Sequence, residues 1–172
     1  MKKLIKKCGI FVTVVAMIVL FTIPTVQAKG LDNVLSKQEL VSEETIEKDG
    51  LYITVSIFED KQTKSDAIPY SSIYEKSGKK TYTAKNADKE TLFSFTVYGS
   101  FTVNTGISAS CTKSSYSYSI ANNAWELKTA STQCSGNRAV GNAEFIKKLL
   151  FVTVDTFDAH IVLNCDSNGN LS

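Results

Sequence analysis

The chain predicts an all-β, antiparallel fold, and three observations carry that prediction. Along Thr91–Asn104, Phe93, Phe95, Val97, Phe101 and Val103 share one parity, while Ser94, Thr96, Ser100 and Thr102 share the other. A β-strand sends alternate side chains to opposite faces, so this segment has an apolar inner face and a hydroxyl-bearing outer face. Similar runs, separated by Asn-, Gly- and Ser-rich turn signals, recur up to Cys165. Nine Phe and seven Tyr against two Pro also favour strands. About seven to nine short strands with closely spaced turns indicate a β-sandwich or a partly open barrel.

Residues 1–28 read as an export signal. Lys2, Lys3, Lys6 and Lys7 form a basic start, an apolar run follows from Ile10 to about Ile23, and Val26-Gln27-Ala28 offers a cleavage pattern. The run is short for a membrane span of about 20 residues. Cys8 precedes the apolar run, so it is not a lipoprotein cysteine, and no apolar tail follows near Ser172. The expectation is a secreted chain with no stable membrane anchor after cleavage. Removing the four lysines from 19 basic residues leaves 15 against 17 acidic ones, a balance of −2. That balance argues against nucleic acid as a partner.

Residues 29–50 are polar and acidic, with Leu35, Leu40 and Val41 hinting at a short N-terminal helix within a flexible lead-in. Residues 51–172 are then the single β-rich domain, opened by the strand Leu51–Phe58. Residues 62–80 contain Pro69 and several serines and read as a long loop, pinned by Ile68, Tyr70, Ile73 and Tyr74. Thr81–Ala84 reads as a short strand, and Asn86–Lys89 as the turn into the central segment. Fourteen extended residues from Thr91 exceed the usual strand length, so a bend or bulge is expected at Gly99. Turns follow at Asn104–Gly106, Lys113–Ser115, Ala121–Asn123, Ser135–Asn137 and Lys147-Lys148. Strands are expected at 107–112, 116–120, 125–134, 138–146, 150–154 and 159–165, with Thr156–Asp158 as a connection.

Outside the cell a disulfide is permitted. Cys111 shares its parity with Ile107 and Ala109, and Cys165 shares its parity with Ile161 and Leu163. Both therefore point inward, and Cys111–Cys165 is the leading pairing. Cys111–Cys134 is second, and three free thiols are the remaining alternative. Cys111, Trp125 and Cys165 follow the cysteine–tryptophan–cysteine order of immunoglobulin domains. However, Leu163 stands where that fold has its corner tyrosine, and little chain follows Cys165 for a last strand. An immunoglobulin-like architecture is thus compatible, with a different topology.

The run Ala109-Ser110-Cys111-Thr112, then Trp125, then Ser135 to Gly141, then Leu163 to Ser172 resembles small secreted all-β proteins of low-GC Gram-positive bacteria, a group with no assigned function. The resemblance covers about residues 91–172. It implies an exported bacterial β domain and carries over no catalytic residue.

No constellation dictates an activity. Cys165 and His160 have opposite parity, so the thiol and the base point apart, whereas Cys–His catalysis needs contact. Cys134 with His160 stays geometrically open. One histidine and no close cysteine pair make a zinc site a poor reading. Asp155 and Asp158, with Glu126 or Glu144, could supply paired carboxylates, but turn and edge acids explain them more simply. Asp166, Asn168 and Asn170 alternate as in the start of a calcium loop without its closing glutamate, and the same residues make an ordinary turn. Tyr116 and Tyr118 are the candidate binding residues, as an aromatic platform for peptide or sugar. No cofactor is called for. The leading expectation is a non-enzymatic binding or interaction module at the cell surface or in the medium, with a protein or glycan partner. A bacterial toxin or immunity protein and a hydrolase with an unrecognised site are the alternatives.

Overall fold

The computed structural model describes residues 38–61 and 72–172. The expected export signal, residues 29–37 of the lead-in and 62–71 of the expected loop lie outside the described residues. Within them, eight strands form two antiparallel sheets. β1 (Gln38–Lys48), β2 (Leu51–Asp60), β3 (Ile73–Lys85), β4 (Thr91–Asn104) and β5 (Ser108–Ile120) make a five-stranded meander in that order. β6 (Trp125–Ser135), β7 (Arg138–Leu149) and β8 (Val152–Asn164) make a three-stranded one. The sheets stack face to face without closing into a barrel, which is the predicted β-sandwich.

Alternation along β4 builds the core. Phe93, Phe95, Val97, Phe101 and Val103 are all buried. They meet Ala139, Ala143, Phe145, Phe157, Ala159, Ile161 and Leu163 from β7 and β8. The Phe93 ring stacks on Phe145 at 4.1 Å between centroids and tilts against Trp125 at 4.9 Å. Small residues opposite large ones let the two faces interdigitate. Gly141 is the tightest case, because a Cβ there would collide with Val97 Cγ2.

The expected N-terminal helix is replaced, from Gln38 onward, by an edge strand. β1 pairs with β2 along Gln38–Lys48 through a two-residue turn, Asp49-Gly50, both at positive φ (53° and 73°). Asp-Gly is the preferred pair for such a turn. All eleven residues of β1 are exposed, and opposite the buried Ile53, Val55 and Ile57 it sets Ile46, Glu44 and Ser42, a mixed face without strand alternation. Other boundaries move for a related reason. β3 begins at Ile73, so 73–80 is strand rather than loop, and β5 runs unbroken through Lys113–Ser115. β8 runs through Thr156–Asp158, and Leu150-Phe151, expected within a strand, form the β7–β8 turn. Partner strands supply hydrogen bonds wherever register allows, regardless of local turn propensity. The irregularity expected at Gly99 lies beside it, on the neighbouring strand. Ser100 pairs with Lys113 and Phe101 with Cys111, leaving Thr112 as the extra residue of a bulge.

The disulfide joins Cys111 to Cys134, not to Cys165. Parity was right that Cys165 points inward, since it is fully buried. Parity says nothing about lateral position. β8 packs over β3 and β4, whereas β6 lies alongside β5, so the partner within reach of Cys111 is on β6. A backbone bond, Cys111 N to Gly136 O at 2.8 Å, reinforces that seam. Burial, with the Asp166 charge adding and Lys76 opposing, raises the Cys165 pKa and so disfavours its thiolate.

Two outcomes are expected. Replacing both Cys111 and Cys134 with Ser frees a loop of sequence separation 23 and should cost about 3 kcal/mol in the chain-entropy account, read by urea unfolding. Gly141→Ala should destabilise by about 1–3 kcal/mol through overpacking against Val97, read as a lower midpoint at unchanged m-value.

Candidate functional site

The outward parity of the five-stranded sheet carries hydroxyls in register. Thr45, Thr54, Thr83, Ser94 and Ser119 form one row across β1–β5. Glu43, Ser56, Thr81, Thr96 and Ser117 form the next. Rows of this kind repeat about every 6.7 Å along the strands and about 4.8 Å across them. Several neighbours bond to one another. Thr81 and Thr96 hydroxyls lie 2.9 Å apart, Thr45 and Thr54 3.2 Å, and Ser56 Oγ donates to Glu43 Oε2 at 3.0 Å. Such cross-strand pairs lock rotamers; Ser56 and Thr96 are themselves buried, and the more exposed members of the rows present their remaining lone pairs and protons in fixed directions.

At one end the face dips into a shallow recess of about 210 Å³. Asp60, Ser77, Tyr98, Ser100, Lys113 and Ser115 line it. Its floor is bare backbone where Gly78 pairs with Gly99. Both glycines face the core on their other side: a Cβ would strike Leu171 at Gly78 and the Phe101 ring at Gly99. Packing on the core side therefore requires two glycines side by side. Ser77 Oγ donates to Ser100 Oγ at 3.2 Å, and Tyr98 Oη lies 3.2 Å from Ser117 Oγ. Gln38 Nε2 donates to Asp60 Oδ1 at 2.9 Å. The recess thus offers one carboxylate, one ammonium, one phenol edge and three hydroxyls. Chemically that is a hydrogen-bonding surface, without a nucleophile held against a base.

The residues singled out from the sequence are not gathered here. Tyr116 and Tyr118 sit on the opposite side of β5, paired with Val97 and Phe95, so they face the three-stranded sheet. They remain 42% and 51% exposed because β5 is the edge of its sheet. Tyr116 packs on Phe95 at 5.8 Å between ring centroids. Cys134 is committed to the disulfide and not available to His160, which lies outside and pairs Nδ1 with Asn142 Oδ1 at 2.7 Å. Of the acids, Glu144 holds Lys128 at 2.9 Å, Glu126 pairs with Lys148, and Asp155 Oδ1 accepts the Thr156 N–H at 2.9 Å.

Asp166 closes the last loop. Oδ1 accepts the N–H groups of Asn168 and Asn170, and Oδ2 accepts Asn170 Nδ2, each at 2.8 Å. Asn168 contributes its carbonyl to Tyr74 Oη at 3.0 Å. Among the described residues no group of three His, Cys, Asp or Glu side chains converges. The loop returns Leu171 to pair with Cys165 and to bury itself at Gly78. The hydroxyl rows were legible as outer parity, but the recess depends on the Gly78–Gly99 pairing, which needs register.

Asn170, through its side chain and then its backbone, holds the Asp166 carboxyl below its ordinary pKa of 3.8. A depressed folded pKa stabilises fully above 3.8, and that stabilisation is lost as pH falls through the folded value. Asp166→Asn should therefore flatten the acid limb of a melting-temperature profile below pH 3.8, while the wild-type profile drops more steeply there. Compared with known proteins, the chain matches no family model, no curated protein and no solved structure.

Proposed function

We propose that this chain is a secreted, non-enzymatic binding module whose hydroxyl-lined five-stranded face takes a glycan at the cell surface or in the medium. The observation that carries this reading is the ordered hydroxyl array ending in the Asp60–Tyr98–Lys113 recess. A polyhydroxylated chain offers donors and acceptors in the same mixture as this face. A preformed array loses little side-chain entropy on binding, because Thr81–Thr96 and Ser77–Ser100 already hold one another. A carboxylate in the recess adds charge-assisted bonds to sugar hydroxyls, the stronger class. Tyr98, 37% exposed, supplies an apolar flank. The export signal expected at residues 1–28 and the disulfide fit an extracellular site of action.

The test is a polysaccharide and glycan array followed by titration of the best ligand. Asp60→Asn and Tyr98→Ala should each weaken binding by about tenfold or more, the size of one charge-assisted bond or one aromatic contact. The pair Thr81→Val with Thr96→Val should also weaken binding at near-constant stability, since both partners of one hydrogen bond are removed together. Silence across the array would overturn the reading, as would turnover of the ligand. Loss of binding in Tyr116→Ala and Tyr118→Ala, with the hydroxyl-face variants unaffected, would move the site to the other side of β5.

A further inference from the structure

The β7–β8 hairpin ends in Lys147-Lys148-Leu149-Leu150-Phe151-Val152-Thr153-Val154. The last tie of its base to the body is the Lys148 N–H, which donates to Ala124 O at 2.7 Å. Beyond that tie the apolar side chains stand in solvent: Leu149 is 65% exposed, Leu150 83%, Phe151 99%, Val152 63% and Val154 52%. The turn itself is costly. Leu150 and Phe151 adopt φ of 47° and 71°, a region that suits Gly or Asn. The hairpin therefore carries two bulky apolar residues where folding alone would favour Asn-Gly.

We propose that this tip is a peripheral membrane-insertion prong that seats in the outer few ångströms of a phospholipid bilayer. Its shape selects the partner. Leu149, Leu150, Phe151 and Val152 make up the tip, and Val154, the extra residue of a bulge, adds an exposed apolar side chain level with the lysines. A convex prong needs a medium that wraps it, and a fluid acyl boundary does so without a preformed groove. A second copy does not. Two convex prongs meeting would cover only one side of each and leave the other in water. The prong's length also fits. Two residues per strand beyond the lysines reach about 7 Å, the depth at which interfacial elements sit.

The collar at its base is charge-balanced. Lys147 stands opposite Asp155 in the strand register, and Lys148 forms an ion pair with Glu126, the two side chains being 42% and 48% exposed. The long lysines can exchange these partners for lipid phosphates while their stems line the apolar boundary. Insertion is thus driven by the apolar tip more than by lipid charge. This inference is independent of the hydroxyl face.

The test uses the full chain with vesicles of phosphatidylcholine alone and of phosphatidylcholine with phosphatidylglycerol. In Phe151→Trp the new indole should shift to the blue and be quenched by brominated acyl chains in both compositions. The buried native Trp125, 4% exposed, provides the unquenched wild-type control. Replacing Leu150 with Asn and Phe151 with Gly removes the apolar tip and relieves the turn. That variant should melt at the same or a higher temperature, and its tip-dependent vesicle partitioning should fall at least about tenfold. Absence of quenching in Phe151→Trp overturns the proposal, as does equal partitioning of the Asn-Gly variant and wild type. A wild-type dimer abolished by the Asn-Gly swap would reassign the tip to a second copy.

Discussion

The contact on which the molecule depends is the interlocking of β4 with β7 and β8. Phe93 lies flat on Phe145 and is flanked by Trp125 and Phe157, while Val97 fills the space left by Gly141. Each sheet is a simple meander with no strand exchanged between them, so their union rests on this packing, the Cys111–Cys134 seam and the return of Leu171. A buried aromatic side chain of this kind typically contributes about 3–5 kcal/mol against truncation, a large share of the usual stability of a domain.

The same contact shapes the opposite surface. A strand whose odd positions are committed to the core must put its even positions outside. From Ser94 to Thr102 in β4 those even positions are Ser94, Thr96, Tyr98, Ser100 and Thr102, whereas Leu92 at the strand start is buried. Antiparallel pairing then aligns them with Thr81, Thr83, Ser117 and Ser119 on the neighbours. The backbone of Gly78 and Gly99 floors the recess, and Leu171 and the Phe101 ring fill the inner side of the same pair. Core packing thus sets which hydroxyls the face presents.

The five-stranded sheet turns hydroxyls outward, and the exposed apolar side chains of the three-stranded sheet gather at the β7–β8 tip. Between the sheets, at the β1–β3 side, Glu44 approaches Lys80 and Tyr82. Burial lowers the Lys80 pKa against the pull of Glu44, and burial together with Glu44 raises that of Tyr82. These long side chains cover Val55 and Ile57, their cross-strand neighbours, with their stems while keeping their polar ends near water.

What the sequence by itself determined was periodicity: strand type, the inward set of β2, β4 and the end of β8, the Ser135–Asn137 hairpin, and the opposed directions of Cys165 and His160. These are local properties, because which face a side chain takes depends only on its place along an extended backbone. Lateral position belonged to the tertiary structure. That Cys111 meets Cys134, that Gly78 lies against Gly99 and that Tyr116 ends at an open edge all follow from which strand lies beside or above which, and no alternation within one strand encodes it. The β1 strand and the Leu150-Phe151 turn show the same limit from the other side. β1 buries no apolar face of its own, and the turn places bulky residues where turn chemistry calls for Asn and Gly, so only the pairing partners reveal them.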